Sequence, residues 1–161
     1  MTDLLESCDD LPRRHADVDD VVVEQGQRLP SLLILVEGDL AVERDGVVLA
    51  RLDRPGTIVG EMSTLLDSPA TATVRARTAS TLLVADDAAS FLVERPDVLL
   101  QVARALARRL DNLTGHLVDV KKQYGDESGH LGMLDDVLTT LMHDETPRVQ
   151  PGSARMPDLD Y

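Results

Sequence analysis

Two textures of apolar patterning divide the chain near residue 86: short β-rich runs before it and a helical repeat after it. The runs occupy 21–26 (VVVEQG), 31–52 (SLLILVEGDLAVERDGVVLARL), 57–62 (TIVGEM), 70–76 (ATATVRA) and 81–86 (TLLVAD), most of them bounded by or broken at glycine or aspartate. Aliphatic and β-branched residues bounded in this way predict short strands. Asp45-Gly46 between Arg44 and Val47 predicts a two-residue hairpin, because a primed turn needs positive φ at both central residues and Asp-Gly adopts it at little cost. Several strands at this spacing indicate a sandwich or barrel, here an antiparallel roll of about eight short strands in a mixed α+β chain.

Before the sheet, residues 1–17 hold Leu4, Leu5, Cys8 and Leu11 and then a polar run broken by Pro12, which reads as a short helix and a loop. After it, Asp86-Asp87 followed by Ala-Ala-Ser-Phe-Leu predicts a short helix capped by an aspartate oxygen and ending by Pro96. A long helix is predicted from about Asp97 to Tyr124. Its heptad positions are Leu99, Leu106, Leu113 and Val120 on one line and Ala103, Leu110, Leu117 and Tyr124 on the other. The first half of that seam is expected to pack on the sheet. The far half needs another surface, and a homodimer through Leu106, Leu110, Leu113, Leu117, Val120 and Tyr124 is the simplest. Gly125 to Gly129 ends this helix. Segment 125–143 is expected to hold a third amphipathic helix with Leu131, Leu134, Val137, Leu138, Leu141 and Met142 on one stripe, and 144–161 to be a mobile tail.

Composition narrows the functions. With 16 basic and 29 acidic residues the formal net charge is -13, so the chain repels polyphosphate, and direct nucleic-acid contact is not expected. Aromatic residues make up 2% of the chain, too few for a base-stacking platform. The lone Cys8 excludes an intrachain disulfide, and neither a secretory signal nor a run of about 18 apolar residues is present, so a cytoplasmic protein without a membrane span is expected. His15, His116, His130 and His143 lack metal-ligand spacing, and no serine sits in a nucleophile elbow. Asp9, Asp10, Asp17, Asp19 and Asp20 lack calcium-loop register. No catalytic residue, metal or cofactor is expected.

The chemistry concentrates at 60–74, where Gly60-Glu61-Met62-Ser63 opens a loop that Pro69-Ala70-Thr71-Ala72 closes into a strand. Glycine, a carboxylate and a run of exposed backbone amides make a cradle for an anion and a sugar. This stretch resembles the phosphate-binding cassette of the cyclic-nucleotide-binding domain family, and Gly26, Gly38, Gly46, Gly56 and Gly60 fall where that family's β-roll carries its turn glycines. The resemblance covers about residues 18–124 and implies a catabolite-activator-like β-roll with a long C-terminal helix. It assigns Glu61 to the ribose 2'-hydroxyl, Gly60 to close approach of the sugar, and the amides around Met62, Ser63, Thr71 and Ala72 to the cyclic phosphate. It places Asn112 and Thr114 towards the base.

At Ala70 the family normally carries the arginine that pairs with the phosphate. The resemblance thus implies a regulatory module that senses cyclic AMP or cyclic GMP weakly or atypically and signals to a protein partner, or a ligand-free scaffold for dimerisation and protein interaction. Family regulators append a helix-turn-helix domain of about 70 residues, and the stretch after Tyr124 is too short and too acidic for one.

Overall fold

The computed structural model describes residues 4–124 and 137–141. By its internal contacts the chain divides into two units, which part between Leu106 and Ala107. The first opens with helix α1 (Leu4–Ser7) and strand β1 (Arg13–Ala16). Then follow β2 (Val21–Val23), β3 (Leu32–Glu37), β4 (Leu40–Arg44), β5 (Val47–Leu52) and β6 (Ile58–Val59). Helix α2 (Glu61–Leu65), strands β7 (Thr73–Ala76) and β8 (Ser80–Ala85), and helices α3 (Ala88–Glu94) and α4 (Pro96–Tyr124) complete the order. The strands form two antiparallel four-stranded sheets, β1-β8-β3-β6 and β2-β7-β4-β5. Between β4 and β5, Asp45 and Gly46 take φ of 51° and 79°, the primed turn their sequence predicts.

The uninterrupted run Leu32-Leu33-Ile34-Leu35 is explained by two cores, one on each face of its sheet. Leu33 and Leu35 point towards the second sheet, in a cluster with Leu40, Val59, Val74 and Leu82. Leu32 and Ile34 point the other way, into a cluster with Leu4, Cys8, Ala88, Leu92, Val98 and Val102 from the helices. All four are buried, and sealing one such side chain from water contributes about 1.5–3 kcal/mol.

Two sequence expectations change, and Cys8 proves to be a core residue. Residues 13–16 form a strand that extends the first sheet by pairing with β8, so the segment 1–17 is more than a helix and a loop. Its pattern is exposed at three of four positions, as suits an edge strand, and carries no apolar run to betray it. Position 8 lies inside the first core at 0% exposure, and burial pushes the Cys8 thiol up to about 11. Finally, α4 docks on the sheet through Val98 and Val102, both fully buried, with Leu106 packed beside them. Leu99 and Ala103 of the heptad seam are exposed instead. A helix meeting a broad sheet uses spacings of three and four at its true period of 3.6, which turns the contact stripe one residue away from a 3.5-residue seam.

The junction between α3 and α4 is tied to the N-terminal segment by Arg95. Its guanidinium donates to the Ser7 carbonyl and the Asp10 carboxylate and stacks on the Phe91 ring at 5.4 Å. The hydrogen bond from Arg95 holds the Asp10 carboxyl below its ordinary range. Asp87 caps α3 as predicted, accepting from the Ser90 amide at 3.1 Å and the Ser90 hydroxyl at 2.7 Å, contacts that lower its own carboxyl pKa. Of the expected helix at 125–143, residues 137–141 are helical; the rest of it and the tail 144–161 lie outside the described residues.

Candidate functional site

Gly60 closes β6 and starts α2 with φ 95° and ψ -3°, a left-handed conformation that costs an L side chain about 1–2 kcal/mol. A Cβ added there would lie 2.7 Å from Leu29 Cδ2 and 2.9 Å from the Ser31 carbonyl oxygen. The need for glycine that is visible here is therefore internal. Bare backbone lets the β6–α2 corner nest against the loop joining β2 to β3.

From that corner the cassette runs as one helical turn and then a loop, not as sheet. The Thr64 amide and hydroxyl both donate to the Gly60 carbonyl at 3.2 Å, the Leu66 amide to Met62 at 3.0 Å and the Ser68 amide to Ser63 at 3.1 Å. Glu61 and Ser63 are buried at 5% and 7% exposure, whereas Met62 is exposed. The carboxylate of Glu61 belongs to the first turn of α2, where unsatisfied amides favour negative charge.

Ala70 is held on both sides. Its amide donates to the Gln27 carbonyl and its carbonyl accepts from the Gly26 amide, each at 2.8 Å. Its methyl group joins the apolar cluster of Val22, Val23, Val59 and Val74. The next two amides, of Thr71 and Ala72, make no hydrogen bond among the described residues. Thr73 then enters β7, its hydroxyl accepting from the Gln25 amide at 3.1 Å. Ala70 is thus lost to the nest as a donor, while Thr71 and Ala72 remain available.

Two cations near the cassette, Arg75 and Arg28, already have partners. Arg75 donates to the Asp19 carbonyl at 2.9 Å and lies 3.9 Å from Glu43. Arg28, which sequence reasoning missed, stands beside the cassette because its loop is stitched to Ala70, and it pairs with Asp67 at 3.0 Å. A pairing between positions 39 residues apart leaves no local signal in sequence.

A cavity of about 370 Å³ opens where this loop, the turn after α2 and the start of α3 meet. Ser63 and Thr64 line it, but Gly60, Glu61, Met62, Ala70, Thr71 and Ala72 do not.

The family profile described as "Cyclic nucleotide-binding domain" matches residues 13–91, from β1 into α3, with the cassette inside the match. The chain belongs to the cyclic nucleotide-binding domain family. Among curated proteins, cGMP-dependent protein kinase egl-4 of Caenorhabditis elegans is 37% identical over 65 residues. That stretch is 40% of this chain and 8% of the kinase. The solved N-terminal domain of a transcriptional regulator from Streptomyces coelicolor A3(2) is 30% identical, with a TM-score of 0.51, over 69% of this chain and 81% of that one. Thermus thermophilus catabolite activator protein is 24% identical with a TM-score of 0.63, over 74% of this chain and 63% of that one, and shares its fold.

In this cyclic nucleotide-binding domain the 60–74 stretch runs from the end of β6 through α2 into β7. The residues expected towards the base lie on α4 beyond Leu106, in the second unit. Asn112 is exposed there, and the Thr114 hydroxyl donates to the Leu110 carbonyl at 2.9 Å. Among the described residues no helix is long and apolar enough to cross a membrane.

Proposed function

We propose that this domain is a cytoplasmic, non-enzymatic sensor that takes a cyclic nucleotide weakly and passes occupancy to a protein partner through α4. The observation that carries the proposal is the cassette itself. Glu61 is retained and buried at the start of α2, and the amides of Thr71 and Ala72 stay uncommitted, while Ala70 stands at the family's arginine position. Ribose is taken by Glu61 and the phosphate by main-chain donors alone. A charge-assisted contact of the missing kind is worth about 2–5 kcal/mol in a desolvated pocket, so a micromolar site becomes roughly a millimolar one.

Isothermal calorimetry with cyclic AMP and cyclic GMP tests this. Saturable heat is expected, and Glu61→Ala should weaken it by about tenfold or more, since a hydrogen bond to a charged group contributes about 1.5–3 kcal/mol. One observation favours the second reading, a ligand-free scaffold: the Ala70 methyl packs in the apolar cluster as a core residue would. Absence of heat at millimolar nucleotide selects that reading.

In either case α4 supplies the interface. Leu110, Leu113 and Val120 are exposed at 45%, 49% and 39%, with Leu117 half-buried between them, along the line the heptad repeat predicts. Light scattering at micromolar concentration should give twice the 17.6 kDa of one chain. Leu110→Ala with Leu113→Ala should shift it towards the single-chain mass, and a wild-type monomer overturns the dimer.

A further inference from the structure

We propose that this cavity, lined in part by the α2 end of the cassette, is a second ligand site, one that takes a small aliphatic α-amino acid as its zwitterion. At about 370 Å³ it sits at the lower end of the roughly 300–1,000 Å³ typical of ligand sites, the size of a small metabolite. Ser63 lines it at 7% exposure, and among the described residues its hydroxyl has no hydrogen-bond partner. Buried hydroxyls are ordinarily paired, so one left open towards a cavity marks a place for a guest atom.

The charges of the lining set the ligand class. Arg28 and Asp67 face each other at 3.0 Å with their side chains 70% and 92% exposed, a pair that contributes little and opens at little cost. An α-amino acid carries a carboxylate and an ammonium on one carbon, the spacing needed to meet both groups of such a pair at once. Its carboxylate takes the Arg28 fork and the Ser63 hydroxyl, and its ammonium takes Asp67. Leu29, Pro30 and Ala89 form the apolar wall on which an aliphatic side chain rests. Asp87 also lines the cavity, with both carboxylate oxygens engaged by Ser90. Beside the single cation it disfavours a purely anionic guest, which sets this site apart from the nucleotide cassette.

Amide chemical-shift titration of the full chain with L-valine, in the absence of nucleotide, tests the proposal. Saturable shifts are expected at Arg28–Ser31, Ser63–Ser68 and Asp87–Ser90. Acetate alone and ethylamine alone should bind about tenfold more weakly, since each meets only one half of the Arg28–Asp67 pair. Ser63→Ala should weaken valine binding about fivefold and Arg28→Gln about tenfold. Shifts that do not saturate, equal binding of either half-ligand, or valine binding indifferent to both substitutions overturns the site. Cyclic-nucleotide binding is read separately, by calorimetry.

Discussion

Ala70→Arg is expected to raise the affinity for cyclic AMP or cyclic GMP by about tenfold or more. The restored guanidinium–phosphate fork is worth about 2–5 kcal/mol where water is excluded, equivalent to roughly 30- to several-thousand-fold. Against this stands the packing of position 70, which is 6% exposed and surrounded by Val22, Val23, Val59 and Val74. Forcing a larger side chain into a filled site costs about 1–3 kcal/mol, so part of the gain is lost and tenfold is the lower expectation. Calorimetry on the variant and the parent decides the matter. An unchanged or absent heat means that the apolar cluster has closed over the place where the phosphate would sit, and the sensor reading then gives way to the scaffold.

Gly60→Ala should lower the stability of the ligand-free protein by about 2–5 kcal/mol. Two costs add: about 1–2 kcal/mol for an L residue at φ 95°, and about 1–3 kcal/mol for a Cβ placed 2.7 Å from Leu29 and 2.9 Å from the Ser31 carbonyl oxygen. The Leu29 methyl can swing aside, whereas the carbonyl belongs to backbone and has to shift with its loop. A domain of this size loses roughly 2–4 °C of melting temperature per kcal/mol, so thermal unfolding should fall by about 4–20 °C without any nucleotide present. A melting temperature within about 1 °C of the parent would show that the glycine is kept for the ligand's approach rather than for the fold.

The cassette was legible because its signal is local. Gly60-Glu61, the short loop and Pro69 follow one another in sequence, and the structure keeps them contiguous between β6 and β7. The capped helix at Asp87 and the Asp45-Gly46 hairpin were readable for the same reason, since each depends on backbone preferences of two to four adjacent residues. Strand β1 was missed because its partner Leu82–Leu83 lies far along the chain and its own residues, Arg13, Arg14 and His15, are polar. Arg28 was missed because only the pairing of Gly26 and Gln27 with Ala70 brings it to the cassette. Along α4 the heptad repeat did not give the docking face, which belongs to Val98 and Val102, while Leu110, Leu113 and Val120 are exposed.

Taken alone, the amino-acid sequence determined the class of fold and the presence of alanine, with no charge to offer, at residue 70. These are matters of composition, turn chemistry and residue type that a linear string carries. Tertiary structure decided which neighbours each residue meets. It made Ala70 a core residue, set Arg28 against Asp67, left the amides of Thr71 and Ala72 open, and turned Ser63 towards a cavity. Several of these contacts join segments far apart in the chain, and their geometry follows from how two sheets and three helices share two apolar cores, which no local preference encodes.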